Sequence, residues 1–207
     1  MAVFHPPAAI RTQVYRQGRI TIYYPQVTGL ANRQAEQHIN RMIIDAVQQL
    51  QREQLQVQTG THLDMIGRFE IKTNERGLLS LTLSNYAYSY PMAHGNTVLK
   101  ALTFDTATGK SYALSDLFKP GSDYAAVLSA QVAQQIKQRN IPTLGDFKGI
   151  RPDQGYYLAD KALVLFFPLY EITPYYVGFP MFPISVYDVL PLAADPGPLN
   201  TLAADIA

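Results

Sequence analysis

The sequence contains no cysteine and no tryptophan. Without cysteine there is no disulfide, no thiolate zinc site, no CxxC redox pair and no thiol nucleophile. Charge is sparse too: Asp, Glu, Lys and Arg make up 16% of the 207 residues and balance to a net +1. No run of Lys or Arg is dense enough to form the electrostatic footprint of a nucleic-acid binder. Long apolar runs are also missing. No stretch reaches the roughly 20 residues that span a bilayer, and the start "MAVFHPPAAIRTQ" has neither the basic region nor the apolar core of a signal peptide. No transmembrane segment is therefore expected in this chain.

The motifs of several chemistries are absent as well. His5, His38, His62 and His94 show no HxxxH or HExxH pairing; His62 and Asp64 share a strand face, but a metal site needs three or four ligands. No metal and no cofactor are expected. There is no GxSxG elbow, no SxxK and no Gly-rich nucleotide loop. The carboxylates Asp64, Glu70, Asp105, Asp116, Asp160, Glu171 and Asp188 could in principle supply a glycosidase pair. As turn, cap or surface residues they need no such role.

What is present reads as an α+β fold with antiparallel sheets, two main amphipathic helices and two small, intimately packed subdomains. The run "ITIYYPQV" (20–27) is β-branched and aromatic, with Pro25 better suited to an edge strand. Asn32 can cap a helix in which Ala35, Ile39, Met42, Ile43, Ala46 and Leu50 recur at helical spacing. From 64 to 90 the period is two, with a hairpin turn at "TNERG" and Gly77 at positive φ. On its second strand Leu79, Leu81, Leu83, Asn85, Ala87 and Ser89 form one face, and Ser80, Thr82, Ser84, Tyr86, Tyr88 and Tyr90 the other. A strand follows over 97–104, then the turn "DTATGK" into a short strand over 111–114 and a helical turn capped by Ser115. A second amphipathic helix is expected over 122–138 through Tyr124, Leu128, Val132 and Ile136. The segments 156–158 and 163–167 are expected to form a hairpin about Asp160 and Lys161, with "LVLFF" as a central strand or one covered on both faces. A Pro-rich ordered loop follows, and 193–207 reads as a tail. The boundaries expected are 12–90 for a companion domain and 91–192 for the second domain.

Tyr86, Tyr88, Tyr90 and His94, together with Tyr170, Glu171, Tyr175 and Tyr176, are the candidate ligand-binding residues. Tyrosine grouped on one strand face and in one loop resembles a protein-binding surface, and Glu171 is an acid set among aromatic rings. His94, between strands and before Gly95, reads first as a connection residue whose imidazole bonds to neighbouring main chain.

Two stretches carry a family resemblance. "YAYSYPMAHGNTVLKALTFDTATGKSYALSDLF" (86–118) and "GYYLADKALVLFFPLYEITPYYVGFPMFPISVYDVL" (155–190) resemble the extracytoplasmic domain of RsiV-type anti-sigma factors and the non-catalytic N-terminal part of PdaC-type peptidoglycan deacetylases. Residues 12–90, with the entry "YPQVTGLANRQAEQHIN", are similar to the companion domain that precedes it. The resemblance implies an α+β domain outside the cytoplasm of a Firmicute-like bacterium, secreted or anchored through a segment not present here. It implies binding rather than catalysis. In the RsiV type the ligand is lysozyme, whose binding exposes the anti-sigma factor to proteolysis; a protein or peptidoglycan ligand is therefore the expected partner. The alternatives are a wall-active hydrolase using a carboxylate in the tyrosine-rich cleft, or an envelope assembly module. No oligomeric state can be read from the sequence.

Overall fold

A computed structural model describes residues 6–204, and the chain divides into two compact units, 1–111 and 112–207. His5 and the last three residues of the expected tail lie outside the described residues.

The first unit is a five-stranded sheet with one long helix. Its elements are β1 (Ala9–Gln17), β2 (Ile20–Thr28), α1 (Arg33–Val57), β3 (Thr61–Glu75), β4 (Leu78–Tyr90) and β5 (Asn96–Asp105), with the strands in sequence order across the sheet. All pairs are antiparallel except β2 with β3, which run parallel over Ile20–Ile22 and Met65–Gly67. Beyond Ile22, β2 pairs only with β1, so Pro25 sits where one side of the strand is open although β2 lies inside the sheet. The missing N–H of Pro25 is tolerated there. The β3–β4 turn is Arg76–Gly77, both at positive φ, 50° and 77°, which is the two-residue turn whose twist suits a hairpin.

The Asn32 side chain caps α1, accepting from the N–H groups of Gln34 at 3.0 Å and Ala35 at 3.2 Å. The stripe Ile39, Ile43, Ala46 and Leu50 is buried against Leu79, Leu81 and Leu83 of β4 and Leu102 and Phe104 of β5, and Ala35 before it is buried beside Gly109. The helix then runs seven residues past Leu50 to Val57, because the next stripe position, Gln54, is buried despite being polar. Gln54 Nε2 donates to the backbone carbonyls of Asn85 and, at 2.9 Å, of Asn96. Two strands are thereby tied to the helix end.

The helical turn expected in "LSDLF" is a 3₁₀ turn over 114–117 at the start of the second unit, while the short strand expected over 111–114 is reduced to an isolated bridge from Ser111 to Phe104. The Asp116 carboxylate, rather than Ser115, accepts from the Ala113 N–H at 2.9 Å. Then follow α2 (Tyr124–Gln138), β6 (Tyr156–Ala159), β7 (Ala162–Phe166), β8 (Met181–Ser185), α3 (Val186–Val189) and α4 (Pro198–Ala203). β7 is the central strand of an antiparallel three-stranded sheet, with α2 on β8. The segment read as a tail forms α4, which buries Leu199 and Leu202; the Ala194 N–H donates to Leu117 O at 2.9 Å and the Lys119 N–H to Leu192 O at 2.8 Å. The division after Ser111 also differs from the expected boundary at 90, because β5 pairs with β4 along its length.

Two outcomes are expected. Gln54→Leu removes the side-chain donor to the Asn85 and Asn96 carbonyls and should lower unfolding free energy by about 0.5–1.5 kcal/mol in a denaturant titration. Glu36 accepts from the Leu30 N–H at 3.0 Å, which together with Arg33 outweighs desolvation and holds its pKa below the ordinary glutamate value. Its folded form thus binds fewer protons than its unfolded form just below that value, and stability must fall as pH drops through the folded pKa. In thermal melts across the acid range, Glu36→Gln should flatten that loss and leave a neutral-pH Tm lower than wild type.

Candidate functional site

The eight candidate residues fall into two groups of four, one in each unit, and each group has its own support. In the first unit the support is the end of α1. Gln58 Nε2 donates to Ala87 O at 3.3 Å, and the Ser89 hydroxyl lies 3.0 Å from Gln58 Oε1 while accepting from the Gly60 N–H at 3.1 Å. With Gln54 on Asn85 O, the inner face of β4 is held at residues 85, 87 and 89. Because side chains alternate along a strand, Tyr86, Tyr88 and Tyr90 face the other way. Tyr86 is 40% and Tyr90 62% exposed, and Tyr88 is half-buried. This is the ladder read from the pattern, with its inner Leu79, Leu81 and Leu83 buried.

His94 lies exposed in the connection between β4 and β5, its Nδ1 2.8 Å from the Gly95 carbonyl. A carbonyl only accepts, so Nδ1 carries the proton. The adjacent glycine has a reason that the sequence did not disclose. Gly95 is buried at an ordinary φ, and a Cβ there would run into the Tyr86 ring, which lies directly over it. Glycine is needed for close approach, and Gly95 is the floor on which Tyr86 rests.

In the second unit the loop over 168–180 leaves β7 and returns to β8, and the Phe167 N–H closes it on Pro180 O at 3.3 Å. Tyr170 adopts a left-handed φ of 65°, unusual for a bulky residue, and its ring stacks on Tyr175 with centroids 5.5 Å apart and planes 26° from parallel. Tyr176 projects beyond them, 79% exposed. Glu171 is bonded through Oε1 to Arg151, which also reaches Asp153 at 3.1 Å, so the acid among the aromatics is paired within its own unit. Desolvation works against the Arg151 charge, but its bonds to Glu171 and Asp153 prevail and raise its pKa. The Glu171 Oε2 atom is buried with no hydrogen-bond partner beside a recess of about 360 Å³ formed with residues 143–149. The Leu144 N–H, donating to Ile172 O at 3.0 Å, ties that segment to the loop.

The remaining candidate carboxylates have local partners or occupy turns and helix starts. Asp64 makes a two-point pair with Arg19, at 2.7 Å for each contact, whose hydrogen bonds and charge outweigh desolvation and lower its pKa; Glu70 pairs with Lys72. Asp105 accepts from the Ala107 and Thr108 N–H groups at 2.8 Å in a turn, Asp160 occupies the β6–β7 turn at φ 49°, and Asp188 lies in the first turn of α3. Among the described residues no group of three His, Asp or Glu is placed to hold a metal ion, and no helix is long and apolar enough to cross a membrane.

The family profile described as "Deacetylase PdaC" matches residues 11–97, and the profile "Protein of unknown function (DUF3298)" matches residues 115–187, one in each unit. The anti-sigma-V factor RsiV of Bacillus subtilis strain 168 is 31% identical over 183 residues, covering 81% of this chain. The chain is thus similar to RsiV along most of its length, and its two units match the PdaC and DUF3298 profiles in turn. It spans 63% of the length of that RsiV relative. Two crystal structures of the DUF3298 family share the fold. The protein from Bacteroides fragilis NCTC 9343 has a TM-score of 0.72 at 12% identity, covering 97% of this chain and 100% of its own; that from Pseudomonas aeruginosa PAO1 has a TM-score of 0.70 at 15% identity, covering 98% and 99%.

Sequence reasoning missed Arg151 and the packing of Tyr86 on Gly95. Neither has a signal in spacing, since twenty residues separate Arg151 from Glu171 and the glycine is conformationally ordinary. The charge division was readable once the boundary was known: residues 1–111 hold eleven basic and seven acidic residues, net +4, and residues 112–207 six and nine, net −3.

Gly95→Ala should destabilise by about 1–3 kcal/mol through overpacking against the Tyr86 ring. In the Tyr86→Ala background the same change should cost far less. A double-mutant cycle by denaturant unfolding reads this coupling directly; additive effects would contradict the packing described.

Proposed function

We propose that this chain is a non-enzymatic recognition module that works outside the cytoplasm, and that its second unit receives a basic protein of the lysozyme type on the loop over 168–180. The observation that carries the reading is the state of that loop. A stacked Tyr170–Tyr175 pair and an exposed Tyr176 stand on a backbone held by the Glu171–Arg151 pair and by the contact of Ile172 with Leu144. Rigid tyrosines give large contact area at small entropic cost, and an anchored loop has less freedom to lose on binding. Charge supports the class of ligand. The second unit carries net −3, the sign expected of a surface that meets a cationic protein, although the whole chain is at +1. The likeness to a protein named an anti-sigma factor supports a regulatory binding role rather than turnover.

The part of Glu171 is then to position the loop: with one oxygen committed to Arg151, it fixes the segment that presents the rings. Tyr86, Tyr88, Tyr90 and His94 form a second aromatic surface, on the first unit, suited to protein or to the faces of wall sugars.

Calorimetric titration of the full chain with lysozyme and, separately, with soluble peptidoglycan fragments tests the proposal. Lysozyme should bind, more weakly as salt rises, and Tyr176→Ala should reduce affinity by at least about tenfold with an unchanged melting temperature. Tyr90→Ala reports the first-unit surface separately. If neither ligand binds the folded chain, or if peptidoglycan is turned over in a way that Glu171→Gln abolishes, the reading is wrong.

A further inference from the structure

The first unit is covered by one helix on a sheet wide enough for two. Five strands at about 4.8 Å spacing measure roughly 19 Å between the outer two, and one helix with its side chains covers about 10 Å. α1 packs on β2, β4 and β5. On the β1 side a groove of about 470 Å³ remains, floored by Tyr15, Ile22 and Tyr24 and walled by Ile44, Val47 and Leu55 of α1. A smaller recess of about 200 Å³ shares Tyr24 and Ile44 and carries the groove on to Gln13, Gln26 and Asn40. Ile44 is 43% and Leu55 49% exposed. An amphipathic surface helix buries one stripe, and α1 already does so through Ile39, Ile43, Ala46 and Leu50. Ile44, Leu55 and Tyr15 are a second apolar set beside that stripe, and such a contiguous patch marks an interaction site.

The charges around the groove are mostly basic. Arg52 lines it; Arg41 lies on the same side of α1, three residues before Ile44; and Arg11 stands opposite Gln26 in the β1–β2 register. Among the described residues none of the three arginines has a hydrogen bond or ion pair, and Asp45 is the sole acid between Arg41 and Arg52. The pairs found nearby belong to other groups, Arg19 with Asp64 and Arg33 with Glu36.

We infer that this groove receives an acidic amphipathic helix from a protein partner, lying along α1 with its apolar stripe on Tyr15, Tyr24, Ile44 and Leu55 and its carboxylates on Arg11, Arg41 and Arg52. From Arg41 to Leu55 the wall is about 21 Å long at the helical rise of 1.5 Å, which accepts about fourteen residues. The site is separate from the tyrosine loop and stands independently of the function proposed for it. Charge selects this occupant from the others. A second copy docked by twofold symmetry would set Arg41 and Arg52 against their equivalents, and the unit's net +4 opposes it. A lipid surface is flat where the groove is concave. A glycan calls for polar groups throughout its site, whereas here Ile22, Ile44, Val47 and Leu55 are aliphatic and the polar groups beside the two tyrosines are confined to Gln48, Gln51 and Arg52. A helix laid into a hydrophobic groove, with charged flanks, meets all three features.

The test uses the full chain and synthetic peptides of about sixteen residues. One has leucines at helical spacing flanked by glutamates, one has the glutamates changed to lysine, and one is a scrambled acidic control of the same composition. Vesicles of phosphatidylglycerol and chitotetraose are run alongside. The ordered acidic peptide should bind, the lysine version at least about tenfold more weakly and the scrambled one more weakly still. Ile44→Gln and Arg52→Glu, both at exposed positions, should each weaken binding at least about tenfold without shifting Tm, whereas Tyr176→Ala should leave it unchanged. Equal binding of ordered and scrambled peptides, indifference to Ile44→Gln and Arg52→Glu, binding of vesicles or chitotetraose in place of the acidic peptide, or no binding of any probe would each overturn the assignment.

Discussion

The contact between the last two turns of α1 and the inner face of β4 decides which residues the first unit shows to solvent. Apolar burial alone would hold the helix on the sheet, since Ile39, Ile43, Ala46 and Leu50 meet Leu79, Leu81 and Leu83. Burial is non-directional, however, and a leucine row tolerates a shift along itself. Gln54 and Gln58 remove that freedom, because their amides reach defined carbonyls at Asn85, Ala87 and Asn96. Losing such a bond costs about 1–3 kcal/mol when the carbonyl stays buried, comparable with the full burial of one leucine. Once the inward set of β4 is fixed at odd positions, the outward set is fixed as Tyr86, Tyr88 and Tyr90, since a slip of one residue would reverse both.

The second unit orders its aromatics by other means. No helix stripe lies beneath the loop over 168–180. It is tied instead at its ends, through Phe167 and Pro180, and near its middle, through Glu171 and Ile172. The Glu171–Arg151 pair is only partly shielded, and an exposed ion pair would contribute about 0–1 kcal/mol. Its importance is geometric. Arg151 joins two carboxylates, Asp153 and Glu171, so the segment before β6 and the loop after β7 are held by one guanidinium. The left-handed Tyr170 is then followed by a fixed neighbour, Glu171, whose hold helps a bulky side chain keep a costly φ.

These particulars explain what could be read from the sequence. The turn of the β3–β4 hairpin was legible because its turn chemistry and the alternation of β4 agree, although β3 begins at Thr61 and its pairing carries two register shifts, and the first five turns of α1 were legible because the Asn32 cap and the stripe agree. Reading failed where polarity and burial part company. Gln54 ended the visible stripe but not the helix, and β1, "AIRTQVYRQ", went unseen because it is exposed along most of its length and has no apolar face to count. The tail was misjudged for a related reason: its prolines and small residues look like a linker, yet Leu199 and Leu202 fill the second unit's core. At the site, the tyrosines were visible as a composition. Their supports were not, because Gly95 under Tyr86 and Arg151 beside Glu171 are products of tertiary approach.

Net charge was the most misleading single number. At +1 the chain reads as indifferent to charged partners, yet it is the sum of +4 in one unit and −3 in the other. The averaging would be harmless if a partner felt both units at once. At physiological ionic strength screening acts over about 8 Å, whereas a folded unit of about a hundred residues has a radius of gyration near 13 Å. A ligand seated on one unit is therefore governed by the charges within a Debye length of its own contact. On the proposed readings, the tyrosine loop of the second unit would favour a cationic partner and the arginine-flanked groove of the first an acidic one, each according to the charge of its own unit.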